Sequence, residues 1–395
     1  MDPLVSILIP AFNARRWITD TIKSAIGQTW PRKEIIVVDD GSTDETLAIA
    51  QRFASKEVKV VTQQNQGAAA ARNRAFALCQ GDYVQWLDAD DLLAADKIAQ
   101  QLAVAENRRD GQVLLSSAWG QFIYRVNRAQ FTPTRLWCDL SPVEWLIRKM
   151  GENVFMQTGC WLVSRELCEA AGAWDTRLLS DDDGEYFCRV ILASNSVRFV
   201  PQARVFYRRT PTNRLSYVGQ SDKKKDGLFL SIELHLKYIQ SLENSDRVRT
   251  ACLTFLQDSL INFYPERLDI VGDMKKLAAE LGGSLETPKL RWKYAWIEPL
   301  FGWQTAKRSQ DVLPKLKATL LSRWDKAMCA LEEVGRGSLR RRFPWKKACE
   351  AWCNGGRKHG QMQGSSVEAK EGVDGSVRLN SCRVSRPQLD VIDDR

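Results

Sequence analysis

The chain has 395 residues, of which 44% are hydrophobic and 27% charged, with a formal net charge of +9. That make-up fits two domains, or one domain plus appendages, and excludes a wholly disordered protein. No stretch reaches the roughly 18 uninterrupted apolar residues of a membrane-spanning helix, and Met1-Asp2-Pro3-Leu4 lacks the basic start of a secretory signal, so the cytoplasm is the expected compartment, with a peripheral place on the membrane face as the alternative.

From Leu4 to about Ser117 short apolar runs alternate with amphipathic stretches. Val5–Ile9 reads as a buried strand stopped by Pro10, and Trp17, Ile18, Ile22, Ala25 and Ile26 recur at helical spacing within a helix over 14–28. Glu34–Val38 is a second strand, after which Ser42-Thr43-Asp44-Glu45 has the spacing of a capping box. Val58–Thr62 leads to an Ala-rich helix from Gly67, Tyr83–Leu87 to a helix over 95–107, and a fifth strand covers Val113–Ser116. Strand and helix alternating in this way predict a parallel sheet with helices on both faces. Further on, Phe122–Val126, Gly159–Val163, Val197–Val200 and Val205–Tyr207 read as strands. Ser164 is placed to cap a helix over 165–171, and Tyr186–Ala193 reads as another helix. Residues 227–281 read as helical throughout, with a break at Gly282-Gly283. The expected organisation is a catalytic domain over 1–215, a helical region over 216–335, and a basic segment with a Gly/Ser-rich, disordered tail over 336–395.

Histidine occurs only as His235 and His359, which excludes a His-based triad and leaves acid–base chemistry to carboxylates. The 10 cysteines are scattered without CxxC spacing and read as reduced thiols. No GxGxxG follows the first strand, and GxxxxGK[ST] and GxSxG are absent, which argues against an oxidoreductase-type dinucleotide site, a P-loop and a hydrolase elbow.

In an open parallel sheet ligands bind at the carboxyl ends of the strands, and there the polar residues gather. Asp39 and Asp40 follow the second strand, and Asp88-Ala89-Asp90-Asp91 follows the fourth. Gln64-Asn65-Gln66-Gly67 precedes a helix whose first N–H groups are available to an anion. Carboxylates at i and i+2 in a turn, Asp88 and Asp90, suit one hard cation that completes its shell with phosphate oxygens; the plainer alternative is an acidic turn with Asp91 capping the next helix. Asp39-Asp40-Gly41-Ser42 is either a turn or an acceptor for a base N–H. Arg72 and Asn73 face the diphosphate, the acid cluster or simply solvent.

These segments together resemble the family 2 glycosyltransferases, which have the GT-A fold. The likeness is carried by Val5-Ser6-Ile7-Leu8-Ile9-Pro10-Ala11-Phe12-Asn13, Val38-Asp39-Asp40-Gly41-Ser42-Thr43-Asp44, Asn65-Gln66-Gly67 through Ala71-Arg72-Asn73, Gly81-Asp82-Tyr83 and Leu87-Asp88-Ala89-Asp90-Asp91, and it extends more loosely to about Tyr207. It implies a mostly parallel central sheet flanked by helices, with a helical C-terminal appendage. It also implies a metal-dependent, inverting transfer of a sugar from a nucleotide-diphosphate donor, a UDP-sugar above all, to a hydroxyl acceptor in glycan or glycolipid synthesis. By the same resemblance Asp40 contacts the base, and Pro10, Ala11 and Phe12 line the base and ribose pocket. Asp88 and Asp90 stand on the DxD motif, with Asp90 the direct ligand of Mn²⁺ or Mg²⁺. The catalytic base of inverting members opens a helix. Aligning Ser180-Asp181-Asp182-Asp183-Gly184-Glu185 through Arg189 puts Asp182-Asp183 on that pair and makes Asp183 the base, with Asp182 or Glu185 as alternatives. Gly184 departs from the pattern, since an aromatic is common there.

Two other readings stay open: a non-catalytic nucleotide-sugar-binding assembly subunit, and a nucleotidyltransferase. The second lacks its usual Gly-rich basic loop after the first strand. The stretch from Arg336 to Lys358 interleaves basic and aromatic residues and reads as a solvated tail or as a contact with an anionic membrane.

Overall fold

The structure is a computed structural model and describes residues 2–105, 112–209 and 221–337. In chain order its first elements are β1 (Val5–Ala11), α1 (Ile18–Ile26), β2 (Lys33–Asp39), α2 (Thr46–Gln51), β3 (Val58–Thr62), α3 (Ala68–Leu78), β4 (Tyr83–Trp86), β5 (Leu92–Leu93) and α4 (Lys97–Ala105). Then follow β6 (Val113–Phe122), β7 (Gln130–Phe131), α5 (Pro142–Gly151), β8 (Val163–Ser164), α6 (Arg165–Ala171), α7 (Asp182–Ala193) and β9 (Ser196–Arg208). All seven residues of β1 are buried, as a strand covered on both faces requires. β1 lies at the centre of a sheet ordered β3-β2-β1-β4-β8, parallel except for β8.

Pro10 does not stop β1, as expected, but sits inside it. The β1–β4 ladder ends at Leu8 opposite Trp86, while the β1–β2 ladder continues to Ala11 opposite Asp39. Leu8 turns its carbonyl to the β4 side, where it accepts from Leu87 N; by alternation Pro10 turns its donor-less nitrogen to that same side, where no strand remains to need it.

Two helix starts also differ from expectation. α1 begins at Ile18 rather than Ala14, whose N–H is instead received by the Thr46 hydroxyl at 2.7 Å. The Ser42 capping box does not form. The Ser42 hydroxyl accepts from Asn13 N at 3.0 Å, and Asp44 Oδ1 takes up Thr46 N at 2.9 Å, so α2 starts only at Thr46.

The strand at Val113 is longer than expected and belongs to a second sheet, ordered β5-β9-β6-β7, in which β6 runs parallel to β9. The two short strands expected near the end of this region are the single strand β9, whose register with β6 shifts between Ser117 and Ala118. No strand continues to Val126, because the backbone N–H groups of Tyr124 and Arg125 go to the Asp325 carboxylate instead of a neighbouring strand. The strand expected over Gly159–Val163 is mostly a 3₁₀ turn at Thr158–Cys160, stabilised by Gly159 N donating to Gln157 Oε1 at 2.6 Å. Ser164 caps α6 as expected, its hydroxyl accepting from Leu167 N at 3.2 Å. Sequence reading passed over α5, although Ser141-Pro142 carries its start signal: a serine cap accepting from Glu144 N, and proline in the first turn.

The C-terminal region contains α8 (Asp222–Leu242), α9 (Asp246–Ser259), α10 (Leu268–Glu280), α11 (Trp292–Ala295), α12 (Glu298–Phe301) and α13 (Trp303–Gly337). α8 packs on α7, and α9 on α5. No helix among the described residues is long and apolar enough to cross a membrane. From residue 338 the basic segment and the tail lie outside the described residues.

Candidate active site

The carboxyl ends of β1, β2 and β4 are adjacent in the sheet, so Pro10–Asn13, Asp39–Ser42 and Asp88–Asp91 meet along one edge. Pro10 and Ala11 are buried, and the Phe12 ring is half exposed above them.

The two acids after β2 do different work. Asp40 is buried and its carboxylate is spent on the chain leading into α3: Oδ1 accepts from Gln63 Nε2 at 2.7 Å and Gln66 N at 3.0 Å, and Oδ2 from Gly67 N at 2.8 Å. The N–H groups ahead of α3, expected to receive an external anion, thus already hold this internal one. Gly67 has φ +92°, a left-handed conformation that glycine adopts without strain. Asp39, also buried, accepts from Thr62 Oγ1 at 2.9 Å through Oδ2, while its Oδ1 has no hydrogen-bond partner among the described residues. Such an unpaired buried acceptor is costly and awaits a donor.

Arg72 joins the two acid clusters that sequence reading could not connect. It is buried on α3, donating from Nη2 to Asp88 Oδ1 at 2.9 Å and from Nη1 to Asp182 Oδ2 at 2.6 Å, with its guanidinium 4.4 Å from the centre of the Trp174 ring. Burial opposes the positive charge, but Asp182, Asp88 and Asp183 outweigh it and hold the pKa above the usual arginine value. Arg72 Nε has no acceptor among the described residues. Asn73, a candidate donor contact, is instead occupied by the backbone of Trp174: Nδ2 donates to its carbonyl at 2.9 Å, and Oδ1 accepts from its N–H at 2.8 Å. Its amide thereby fixes the ring on which Arg72 lies.

Asp88 keeps part of its surface exposed. Asp90 is half-buried, and its carbonyl accepts from Arg208 Nε at 2.8 Å. Asp91 does not cap the following helix, which starts only at Lys97. It is buried, with Oδ1 accepting from Arg208 N at 2.7 Å and Oδ2 from Gln157 Nε2. Burial, then the charges of Asp90 and Asp88, hold its pKa well above the usual carboxylate range. Arg208, at the end of β9, is further held between Trp17 and Phe122. Neither Gln157 nor Arg208 carries a sequence signal, because each acts only through contacts made across the second sheet.

Asp181, Asp182 and Asp183 stand at the head of α7. Asp181 has φ +56°, and its Oδ2 accepts from Ser231 Oγ of α8 at 2.7 Å. A Cβ on Gly184 would lie 2.1 Å from Asp181 Oδ1, so any larger residue at this departure from the family pattern has to push the Asp181 carboxylate aside. Gly184→Ala is expected to displace the Asp181 carboxylate and destabilise the chain by roughly 1–3 kcal/mol, measured by chemical unfolding. Wild-type stability in that variant would mean that Asp181 is not held over the glycine. Asp183 accepts from Gly184 N at 3.0 Å and Thr158 Oγ1 at 3.1 Å. Its low-dielectric surroundings, then the charges of Asp182 and Asp181, push its pKa up to about 7. Burial likewise raises that of Asp182 against the pull of Arg72. Glu185, the other alternative base, is fully engaged by Arg189 Nε and Nη2 at 2.7 and 2.8 Å and by the Tyr238 hydroxyl at 2.7 Å.

For a divalent cation the donor set at Asp88 and Asp90 is all oxygen, as Mg²⁺ or Mn²⁺ prefers. Among the described residues no group of three or more His, Cys, Asp or Glu is placed to hold a metal by itself. Two carboxylates fit an ion that takes its remaining ligands from a diphosphate and water.

Residues 6–172 match the sequence profile of the family described as Glycosyl transferase family 2. The putative teichuronic acid biosynthesis glycosyltransferase TuaG of Bacillus subtilis (strain 168) is 45% identical over 103 residues, 25% of this chain and 41% of that protein. The UDP-Glc:alpha-D-GlcNAc-diphosphoundecaprenol beta-1,3-glucosyltransferase WfgD of Escherichia coli is 36% identical over 104 residues, 26% of this chain and 41% of that protein. The chain thus spans about two fifths of the length of these relatives. Among solved structures, S. aureus TarS 1–349 in complex with UDP-GlcNAc superimposes with a TM-score of 0.56 at 17% identity, covering 78% of this chain and 91% of that one. At that identity the likeness speaks for the fold, a GT-A-like α/β architecture that includes a helical C-terminal region. Residues 6–172, about two fifths of the chain, thus carry the profile of glycosyl transferase family 2.

Proposed function

We propose that the chain catalyses metal-dependent transfer of a sugar from a nucleotide-diphosphate donor, a UDP-sugar, to a hydroxyl of a glycan or lipid-linked acceptor, with inversion at the anomeric carbon. The observation that carries this reading is the Arg72 guanidinium bonded at once to Asp88 and Asp182. It brings the acids suited to a cation and the acids suited to a base to the same spot, as catalysis requires and a merely binding subunit does not. The names of the relatives, a UDP-Glc-dependent enzyme acting on a diphosphoundecaprenol-linked sugar and a teichuronic acid enzyme, support the donor and acceptor classes.

In this reading Phe12 provides a face for the base, with Pro10 and Ala11 beneath it. The unpaired Asp39 Oδ1 accepts a base N–H, and Asp40 shapes the loop rather than touching the donor. Arg72 Nε offers a donor to the diphosphate. Asp88 and Asp90 would hold a divalent cation, whose positive charge would offset the charge of the diphosphate leaving group. Asp183 takes the proton of the acceptor hydroxyl while that oxygen bonds to the anomeric carbon and the bond from that carbon to the diphosphate oxygen breaks. Asp182, tied to Arg72, keeps the neighbouring charge that leaves Asp183 basic enough for the task.

The direct test is to incubate purified protein with a panel of UDP-, GDP- and dTDP-sugars and measure nucleotide release with Mn²⁺, with Mg²⁺ and with chelator. Metal-dependent release from one donor class is expected; release from none under any condition sinks the reading. A base works unprotonated, so the raised pKa of Asp183 predicts that kcat/KM falls with pH below about 7. An acid limb at the ordinary carboxylate value, about 4, would remove Asp183 from the role.

A further inference from the structure

α13 is amphipathic in the wrong sense for a helix that merely covers a core. Toward the protein it turns Ser322, Asp325, Cys329 and Glu332, residues spaced on one helical face and each buried or partly buried. The opposite face carries Leu313, Leu316, Leu320 and Trp324, with 49%, 56%, 66% and 59% of their surface exposed, and continues to the exposed Leu331. A surface helix ordinarily buries such a stripe. This one cannot roll over, because it is pinned near both ends. Lys307 Nζ meets Glu266 at 2.6 Å, with Trp303 packed edge-on against Tyr264. Further along, Arg125 Nε meets Asp325 at 2.6 Å and its Nη1 meets Glu332 at 3.0 Å. The preceding helices α11 and α12 pack against α13 and add the exposed Trp292 and Trp296.

Charge tells what covers this face. Along α13 the sequence carries Lys307, Arg308, Lys315, Lys317, Arg323, Lys326 and Arg336 against Asp311, Asp325, Glu332 and Glu333, and of these acids Asp325 and Glu332 are turned inward onto Arg125. Two copies meeting through this face would bring like charges together across a symmetric contact. A bilayer with anionic headgroups would instead accept leucines below its surface, lysines and arginines at the phosphates, and indole rings at the boundary between them. We infer that α13, with α11 and α12, is a built-in docking surface for an anionic lipid bilayer. The inference does not rest on the sugar-transfer reading, and the residues involved are distinct from the basic segment that follows. It is consistent with that reading: Tyr124, next to the anchored Arg125, packs on Trp17 at 5.4 Å, and Trp17 in turn covers Arg208 beside the acid cluster. The bilayer would therefore lie against the element that borders the site.

The test is sedimentation of the full chain with phosphatidylcholine vesicles, with and without one third phosphatidylglycerol, in dilute salt. Binding is expected to the anionic vesicles only, and to weaken as salt screens the charges. The double variant Leu316→Ser, Leu320→Ser should bind at least about tenfold more weakly, given the apolar area withdrawn. Lys317→Gln with Arg323→Gln should lose about thirtyfold, at roughly 1 kcal/mol for each charge. All four residues are exposed, so thermal unfolding should match the parent and separates lost docking from lost folding. Vesicle binding that survives the leucine variant, or absence of binding by the parent, overturns the inference. So does a parent that sediments as a dimer and that the leucine variant makes monomeric, which would give the face to a second copy.

Discussion

Asp183→Asn is expected to lower turnover by about 10²–10⁴-fold while nucleotide-sugar affinity and folding survive. The side chain keeps its size and both its partners: the amide oxygen can accept from Gly184 N while the amide nitrogen donates to Thr158 Oγ1. Because the pKa of Asp183 is raised to about 7 by burial and by Asp182 and Asp181, its ionised form is a cost to the folded chain. The sign follows directly. A carboxyl whose folded pKa lies above its unfolded value favours folding most at low pH and loses that advantage as pH rises toward 7. The neutral amide should therefore melt at the same temperature as the parent, or higher, above pH 7. Single-turnover rates, donor titration and thermal unfolding on one preparation test all three expectations. Turnover within tenfold of the parent would pass the role to Asp182, since Glu185 is committed to Arg189 and Tyr238.

Arg72→Ala should have the largest structural effect. The guanidinium is the shared partner of Asp88 and Asp182 and lies on Trp174, so its loss leaves two partly buried carboxylates facing each other without a counter-charge. Breaking a buried pair from one side costs about 3–5 kcal/mol, which for a domain of this size corresponds to a melting temperature lower by roughly 6 °C or more. Arg72→Lys restores the charge but not the fork, and one ammonium cannot reproduce two directed bonds together with stacking on an indole. It should recover part of the stability and little of the activity. Unfolding of the three proteins by urea makes the comparison. An Arg72→Ala variant as stable as the parent would show that the bridge contributes nothing to holding the acid clusters together.

The first strands and helices were legible because each is a local pattern. Buried apolar runs at β1, β2 and β3, helical spacing before Gln28 and the serine ahead of α6 carry their own physical cause within a few residues. The errors arose where a distant group supplied the partner. Pro10 stays in β1 because β4 ends early, and Ser42 fails to cap α2 because Asn13 takes its hydroxyl. The chain after Phe122 leaves the sheet because Asp325, some two hundred residues on, receives its N–H groups.

The same division runs through the site. Sequence by itself determined which residue types gather at the strand ends and which family profile residues 6–172 match, because acids placed after parallel strands must share one edge whatever follows. Only the tertiary structure decided how those acids are divided. It turned Asp40 inward to the loop before α3, left Asp39 with an unpaired oxygen, tied Asn73 to the Trp174 backbone, laid the Asp181 carboxylate over Gly184, and set one guanidinium between Asp88 and Asp182. Spacing along a chain specifies chemistry and local shape. Burial and the choice of hydrogen-bond partner depend on segments that meet only in the folded molecule, and those two quantities set which carboxylate carries charge and which merely holds the backbone.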